Sequence, residues 1–289
     1  MRYLLTLTLL VIALTGCITQ NSYNDSNEPV VENEIDTTSA ARTRIALALQ
    51  YLNTHNNAQA KYNLERAAEF SPNLPEVHYS FAYYYQKVGE NTRANQAYQK
   101  ALLIKPDDPN TLNNYGVFLC SIKQYALAQV QFLKAINIPS YIRVAQSYEN
   151  LALCAIEYND FIKAEGYLKQ AINHSAQQNS ATINLAALYY AKNEVYKAHT
   201  LLMQYINSGQ ISSRILMLKF LLNQRMGNTT DAEKTSRSIL HTYPKSNEAQ
   251  LLHTHKISFS EFEILRDKYR QAILNEFKNR STKQKQTLK

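Results

Sequence analysis

The chain has 289 residues and a formal net charge of +8, with 21 Tyr, no Trp and only six Gly. That length suits one extended domain, and the composition reads as helical and tyrosine-packed. A basic balance raises nucleic acid as a partner, but the export signal at the N-terminus excludes it as the main one. The chain contains no Gly-rich phosphate loop, HExxH, nucleophile elbow or CxxC, so nothing marks a known catalytic chemistry.

The N-terminus opens with Arg2 and an apolar run, Tyr3–Leu14, too short for a membrane span. It ends in Leu14-Thr15-Gly16-Cys17, which resembles a bacterial lipobox. The resemblance implies cleavage after residue 16 and acylation of Cys17; an ordinary secretory signal with an incidental Cys, or an uncleaved anchor, is the alternative. Ile18 rather than Asp follows the Cys, which by the same resemblance implies the outer membrane. The only group expected to be attached is this covalent lipid, an effectively permanent anchor at about 0.8 kcal/mol per buried CH₂. Residues 17–40 then read as the lipidated Cys and a disordered acidic tether, with Asp25, Glu28, Glu32, Glu34 and Asp36 and no Lys or Arg. As a random coil such a segment spans roughly 25 Å.

From residue 41 one pattern repeats six times. Ala60, Ala94, Ala128, Ala164, Ala198 and Ala232 are spaced 34, 34, 36, 34 and 34 residues apart. Residues 75–108 show the unit clearly: Phe81-Ala82, Tyr85, Ala94, Tyr98, Ala101, Pro106. This is the tetratricopeptide signature, in which small residues let two antiparallel helices approach and large ones fill the space beside them. The expected fold is all-α: a right-handed superhelical solenoid of six such repeats (41–74, 75–108, 109–142, 145–178, 179–212 and 213–246). The offset before the fourth repeat falls at about Pro139–Val144, where Pro suits a break between helices. Asp107-Asp108 reads as a helix N-cap and first-turn acid. The seven His are scattered, and only His253 and His255 lie close together, on different faces of a helix; no metal site is expected.

Beyond residue 246 the pattern changes. Ser260 and Glu263 form a capping box, followed by Phe262, Leu265, Tyr269, Ile273 and Phe277 at helical spacing. Residues 247–280 are expected to be capping or amphipathic helices that cover the open end of the stack; a membrane-surface or partner-binding helix is the alternative. Residues 281–289 read as a disordered basic tail.

Two cysteines remain beside Cys17. Cys120 and Cys154 sit at positions 12 and 10 of the third and fourth repeats, at similar heights on neighbouring first helices. In an oxidising compartment they pair as a disulfide or stay as two buried thiols.

With no reaction indicated, function falls to the concave face, lined by positions 2, 5, 9, 12 and 13 of each first helix. These positions hold Ile45, Leu49 and Leu52; Tyr79, Tyr83 and Gln86; Asn110, Asn113 and Val117; and Glu149, Leu153 and Ile156. Such a groove, apolar and aromatic passing into amides, suits an extended or helical peptide. Packing between neighbouring first helices is the alternative role for each residue. A small-molecule substrate is not expected.

The stretch Leu112-Asn113-Asn114-Tyr115-Gly116-Val117-Phe118-Leu119-Cys120 resembles a segment of PilW/PilF-type lipoproteins, the tetratricopeptide pilotins of type IV pilus biogenesis. Asn150-Leu151-Ala152-Leu153-Cys154-Ala155 and Lys163-Ala164-Glu165 resemble the next. The resemblance covers about residues 41–250 plus the lipobox. It implies a non-enzymatic, periplasm-facing outer-membrane lipoprotein that binds the pilus secretin and supports its localisation and multimerisation, or stabilises pili. An adaptor for cell-wall hydrolases or periplasmic proteases is the second reading, and an enzyme of unrecognised pattern a third. The chain departs from the family in its C-terminal extension of about 30 residues.

Overall fold

Helix pairs recur with the period of the sequence. The computed structural model describes residues 36–175 and 180–287, with side chains to residue 279; the signal peptide, Cys17 and most of the tether lie outside the described residues. Among these, fourteen α-helices and no strand are present. The pairs are α1 (Thr37–Asn53) with α2 (Asn57–Phe70), α3 (Pro75–Lys87) with α4 (Asn91–Ile104), α5 (Pro109–Ser121) with α6 (Tyr125–Ile136), α7 (Val144–Glu157) with α8 (Phe161–Asn173), α9 (Ser180–Ala191) with α10 (Val195–Asn207), and α11 (Ser213–Arg225) with α12 (Thr229–Thr242). The chain is an all-α tetratricopeptide solenoid.

Small residues at the crossings explain why the pairs close. The six repeat alanines are at most 4% exposed. In the third pair the first helix carries Gly116, where an added Cβ would stand 2.9 Å from ring carbons of Phe132. Four residues after the repeat alanine, Leu64, Tyr98, Phe132, Leu168 and Leu202 fill the space beside it, all at most 1% exposed.

Each turn within a pair uses the same left-handed residue. His55, Gly89, Lys123, Asn159, Asn193 and Gly227 all have φ between 59° and 81°. The next N–H then reaches back to a carbonyl of the last helical turn, as Gln124 does to Leu119 and Glu194 to Tyr189, both at 2.8 Å. Only two of the six residues are Gly, although that conformation favours Gly. Between the third and fourth pairs the two extra residues form a loop pinned by buried Tyr141, whose hydroxyl lies 2.9 Å from that of Ser147.

Three end expectations need correction. α1 starts at Thr37 rather than 41, because the Asp36 carboxylate accepts from the Thr38 and Ser39 amides at 3.0 and 3.1 Å and caps the helix. At the other end, residues 281–287 are helical rather than a disordered tail, since nothing from Glu261 to Lys289 is Gly or Pro. The C-terminal helices also divide their roles. α13 (Asn247–His253) packs on α11 and α12 at the end of the stack. A 3₁₀ turn, Ile257–Phe259, then reverses the chain, and α14 (Glu261–Thr287) returns over α9 rather than covering the end.

Candidate partner-binding groove

The first helices of the pairs, α1, α3, α5, α7, α9 and α11, form the face that such a solenoid turns inward. The structure sorts the residues expected there into three groups. Ile45 and Leu52 are 8% and 6% exposed and belong to the core around Ala41, Ala48, Val77 and Tyr84. They are packing residues, because α3 lies against α1 at their height. Leu49 is half-buried beside them.

A second group is polar and engaged across successive helices. Asn113 is 5% exposed. Its Oδ1 accepts from Ser147 Oγ at 2.8 Å and Asn150 Nδ2 at 3.1 Å, and its Nδ2 donates to Asn114 Oδ1 at 3.2 Å. It therefore ties α5 to α7 and, being buried, does not present its amide to a peptide, contrary to the sequence expectation. Asn110 Oδ1 accepts from Arg143 at 2.7 Å. Gln86 Oε1 accepts from the buried Tyr98 hydroxyl at 3.2 Å. The Glu149 carboxylate accepts from Ser180 Oγ and Asn184 Nδ2, both at 2.8 Å. Arg42 and Glu76 pair at 3.1 Å at the same edge of α1 and α3. Many of these bonds join residues about one repeat apart, so the polar groups act as rungs between neighbouring first helices.

The third group presents surface. Val117 is 38% and Leu153 42% exposed, on α5 and α7. Tyr83 is half-buried with Lys87 Nζ 5.3 Å from its ring centre. Tyr79, one turn away, accepts from Asn114 Nδ2 at 2.8 Å and leans on Tyr98, ring centres 6.4 Å apart. Burial, then the neighbouring Tyr83, raises the Tyr79 pKa, so the hydroxyl stays neutral and able to donate. Tyr79 also lines a polar cavity of about 280 Å³ with Glu76, Lys105, Asp108, Asn110 and Arg143. Asp108 is the N-cap of α5, accepting from the Thr111 amide at 2.8 Å.

Cys120 and Cys154 form a disulfide between α5 and α7, with Cα atoms 5.8 Å apart. It fixes the two helices that carry Val117 and Leu153.

Two features escaped the residue pattern. One is a cleft of about 520 Å³ beside the disulfide, lined by Tyr125, Leu127, Tyr158 and Tyr167, with Tyr125 and Tyr158 ring centres 4.9 Å apart. In its lining Leu127 and Tyr158 are 53% and 62% exposed. The other is where α14, itself expected from its apolar spacing, is seated: its Phe262 is 1% exposed within the core of the last three pairs. Among the described residues, α14 lies over α9 and reaches Leu153 and Glu157 of α7.

Comparison with known proteins agrees with this architecture. No protein-family model matches the chain. The type IV pilus assembly protein PilF of Pseudomonas aeruginosa is 28% identical over 242 residues, spanning 84% of this chain and 94% of PilF. An uncharacterised Haemophilus influenzae protein is 40% identical over 116 residues, 40% of this chain and 65% of that protein. A solved Pseudomonas aeruginosa PilF structure superposes with a TM-score of 0.62 at 27% identity, over 76% of this chain and 99% of that one. PilW, solved as a widely conserved type IV pilus biogenesis factor, gives 0.64 at 26% identity, over 73% and 97%. The chain is homologous to PilF, and structurally similar to PilF and PilW, tetratricopeptide proteins of type IV pilus biogenesis.

Proposed function

We propose that this protein is a non-enzymatic scaffold of type IV pilus biogenesis: an outer-membrane lipoprotein, anchored through Cys17 and facing the periplasm, that binds the pilus secretin and supports its localisation and multimerisation. The observation that carries the reading is the match to nearly the whole of PilF. The inner face supports it physically. Tyr83, Val117 and Leu153 present apolar surface on α3, α5 and α7, and the disulfide holds the last two helices in register. A secretin segment laid along them would bury these side chains against groups already fixed by the polar rungs, so little ordering entropy opposes binding.

The test is genetic and biochemical. Deleting the gene should abolish secretin multimers and surface pili, and the intact gene should restore both. Cys17→Ala should release the protein from the outer membrane to the periplasm and lower multimer yield. Normal multimers and pili in the deletion strain would refute the reading. A crosslinked pulldown that recovers wall hydrolases or proteases without secretin would replace it with the adaptor role.

A further inference from the structure

α14 occupies the part of the inner face where a partner would otherwise lie. Its first turn is built in: Phe262 is buried, Glu261 pairs with Arg214 of α11, and Glu263 accepts from the Tyr190 hydroxyl and pairs with Arg266 at 2.9 Å. Arg214 in turn donates to Asn184 of α9 at 2.9 Å. Beyond that turn the seating loosens. From Glu263 to Asn279 no side chain is buried. Leu265 packs against the core cluster and lines a small cavity with Leu153, Ile156 and Ala187. Lys268 Nζ reaches the exposed carboxylate of Glu157 at 2.8 Å, and Tyr269 meets Phe161 edge-on, ring centres 5.0 Å apart. A cavity of about 580 Å³ runs between Tyr269, Ala272 and Ile273 of α14 and Tyr158 and Ile162 opposite, and Ile162 is 88% exposed. This cavity lies at the α7–α8 turn and the first turn of α8.

The chemistry of the seat is specific. It takes apolar or aromatic anchors at helical positions i, i+4 and i+7 (Leu265, Tyr269, Ala272) and a cation just before the aromatic, opposite Glu157. At the same rim Asp160 is paired with Lys163 at 2.9 Å and Lys192 with Glu165 and Glu194, so Glu157 is the carboxylate that meets the cation. We propose that the seat formed by α9, the C-terminal end of α7 and the first turn of α8 is a helix-binding site, held in the resting chain by residues 265–279 of α14, and that its ligand in trans is a basic amphipathic helix of a partner protein. Phe262 and the pairs around it act as the fixed end from which the rest of α14 swings away. This inference goes beyond the pilus reading and does not depend on it.

The test uses the mature full-length chain and a fluorescein-labelled peptide of its own residues 261–280 as probe. Without any substitution, hydrogen exchange of the amides of residues 265–279 should be at least 100-fold faster than in α9. The pair Lys268→Glu with Tyr269→Ala loosens the covering helix and should raise peptide affinity at least tenfold, with an unchanged melting curve. Adding Glu157→Gln should abolish that gain, because the Lys of the peptide then loses its carboxylate. Equal protection of α14 and α9 would show that the helix is a permanent part of the fold and overturn the proposal, and this reading stands even if the variants fail to fold. A loosened chain that binds no peptide more tightly would overturn it too. Dimerisation of that variant on size exclusion would make the occupant a second copy of the chain and likewise overturn it.

Discussion

Replacing Gly116 by Ala should destabilise the solenoid, and the same change at Gly166 should not. Both residues are inside helices, Gly116 in α5 and Gly166 in α8, so each change gains about 0.8–1 kcal/mol of helix propensity. They differ in what the new methyl group meets. At Gly116 it would stand 2.9 Å from two Phe132 ring carbons, and Phe132 is fully buried. Its neighbours Tyr98, Tyr115 and Phe118 share the same core, leaving the ring little room to retreat, and overpacking of this kind costs about 1–3 kcal/mol. At Gly166 nothing lies within 4 Å. The propensity gain cancels between the two variants, so their stabilities should differ by about 1–3 kcal/mol, or a few degrees in Tm at about 2–4 °C per kcal/mol. Urea titration followed by circular dichroism, with the disulfide intact, measures the difference. Equal stability of the two variants would show that Phe132 yields freely and that close helix approach is not what demands Gly in the third repeat.

Other consequences concern the polar rungs, the bridge and pH. Asn113→Ala should lower stability by about 1–3 kcal/mol in the same titration, because the Asn150 amide and one bond of buried Ser147 lose their acceptor. The purified mature chain should show no free thiol at Cys120 or Cys154 when unfolded without reductant, and reduction should cost about 3–4 kcal/mol for a loop of this length. Glu165 gives a pH signature: burial alone would raise its pKa, but hydrogen bonds from Lys169 and Lys192 bring it down to about 2. A depressed carboxylate stabilises the fold above its ordinary pKa and loses that contribution as pH falls from about 4.5 towards 2. Glu165→Gln should therefore flatten the acid limb of a plot of Tm against pH, by an amount equivalent to about 1–2 kcal/mol after solvent screening.

The fold was legible because its rule is local. Alanines one repeat apart, each with a large residue four positions on, announce helix pairs before any contact is known. The turns were harder: the left-handed residue at a fixed place in each repeat is Gly only at Gly89 and Gly227, so His55, Lys123, Asn159 and Asn193 left no composition signal. The groove was readable as a set of positions but not as a surface. Whether Ile45 faces a partner or α3, and whether Asn113 offers its amide or spends it on Ser147 and Asn150, depends on how closely neighbouring first helices approach. That distance belongs to the tertiary structure. Likewise, the spacing of Phe262, Leu265, Tyr269 and Ile273 announces an apolar face but not its seat. The seat follows from the 3₁₀ turn that sends α14 back over α9.

Secretin assembly is assigned to the inner face along α3, α5 and α7. In a strain lacking the gene, the chain carrying Tyr83→Ala, Val117→Ala and Leu153→Ala should be tested for detergent-resistant secretin multimers in the outer membrane, beside the unsubstituted chain. Val117 and Leu153 are exposed and Tyr83 is half-buried against the first core cluster, so the melting curve of the variant is measured beside that of the parent. If the three residues form the centre of the binding surface, losing them should cost at least about 2 kcal/mol in partner affinity and reduce multimers at least tenfold. A variant that melts normally, reaches the outer membrane and restores multimers in full would contradict the account.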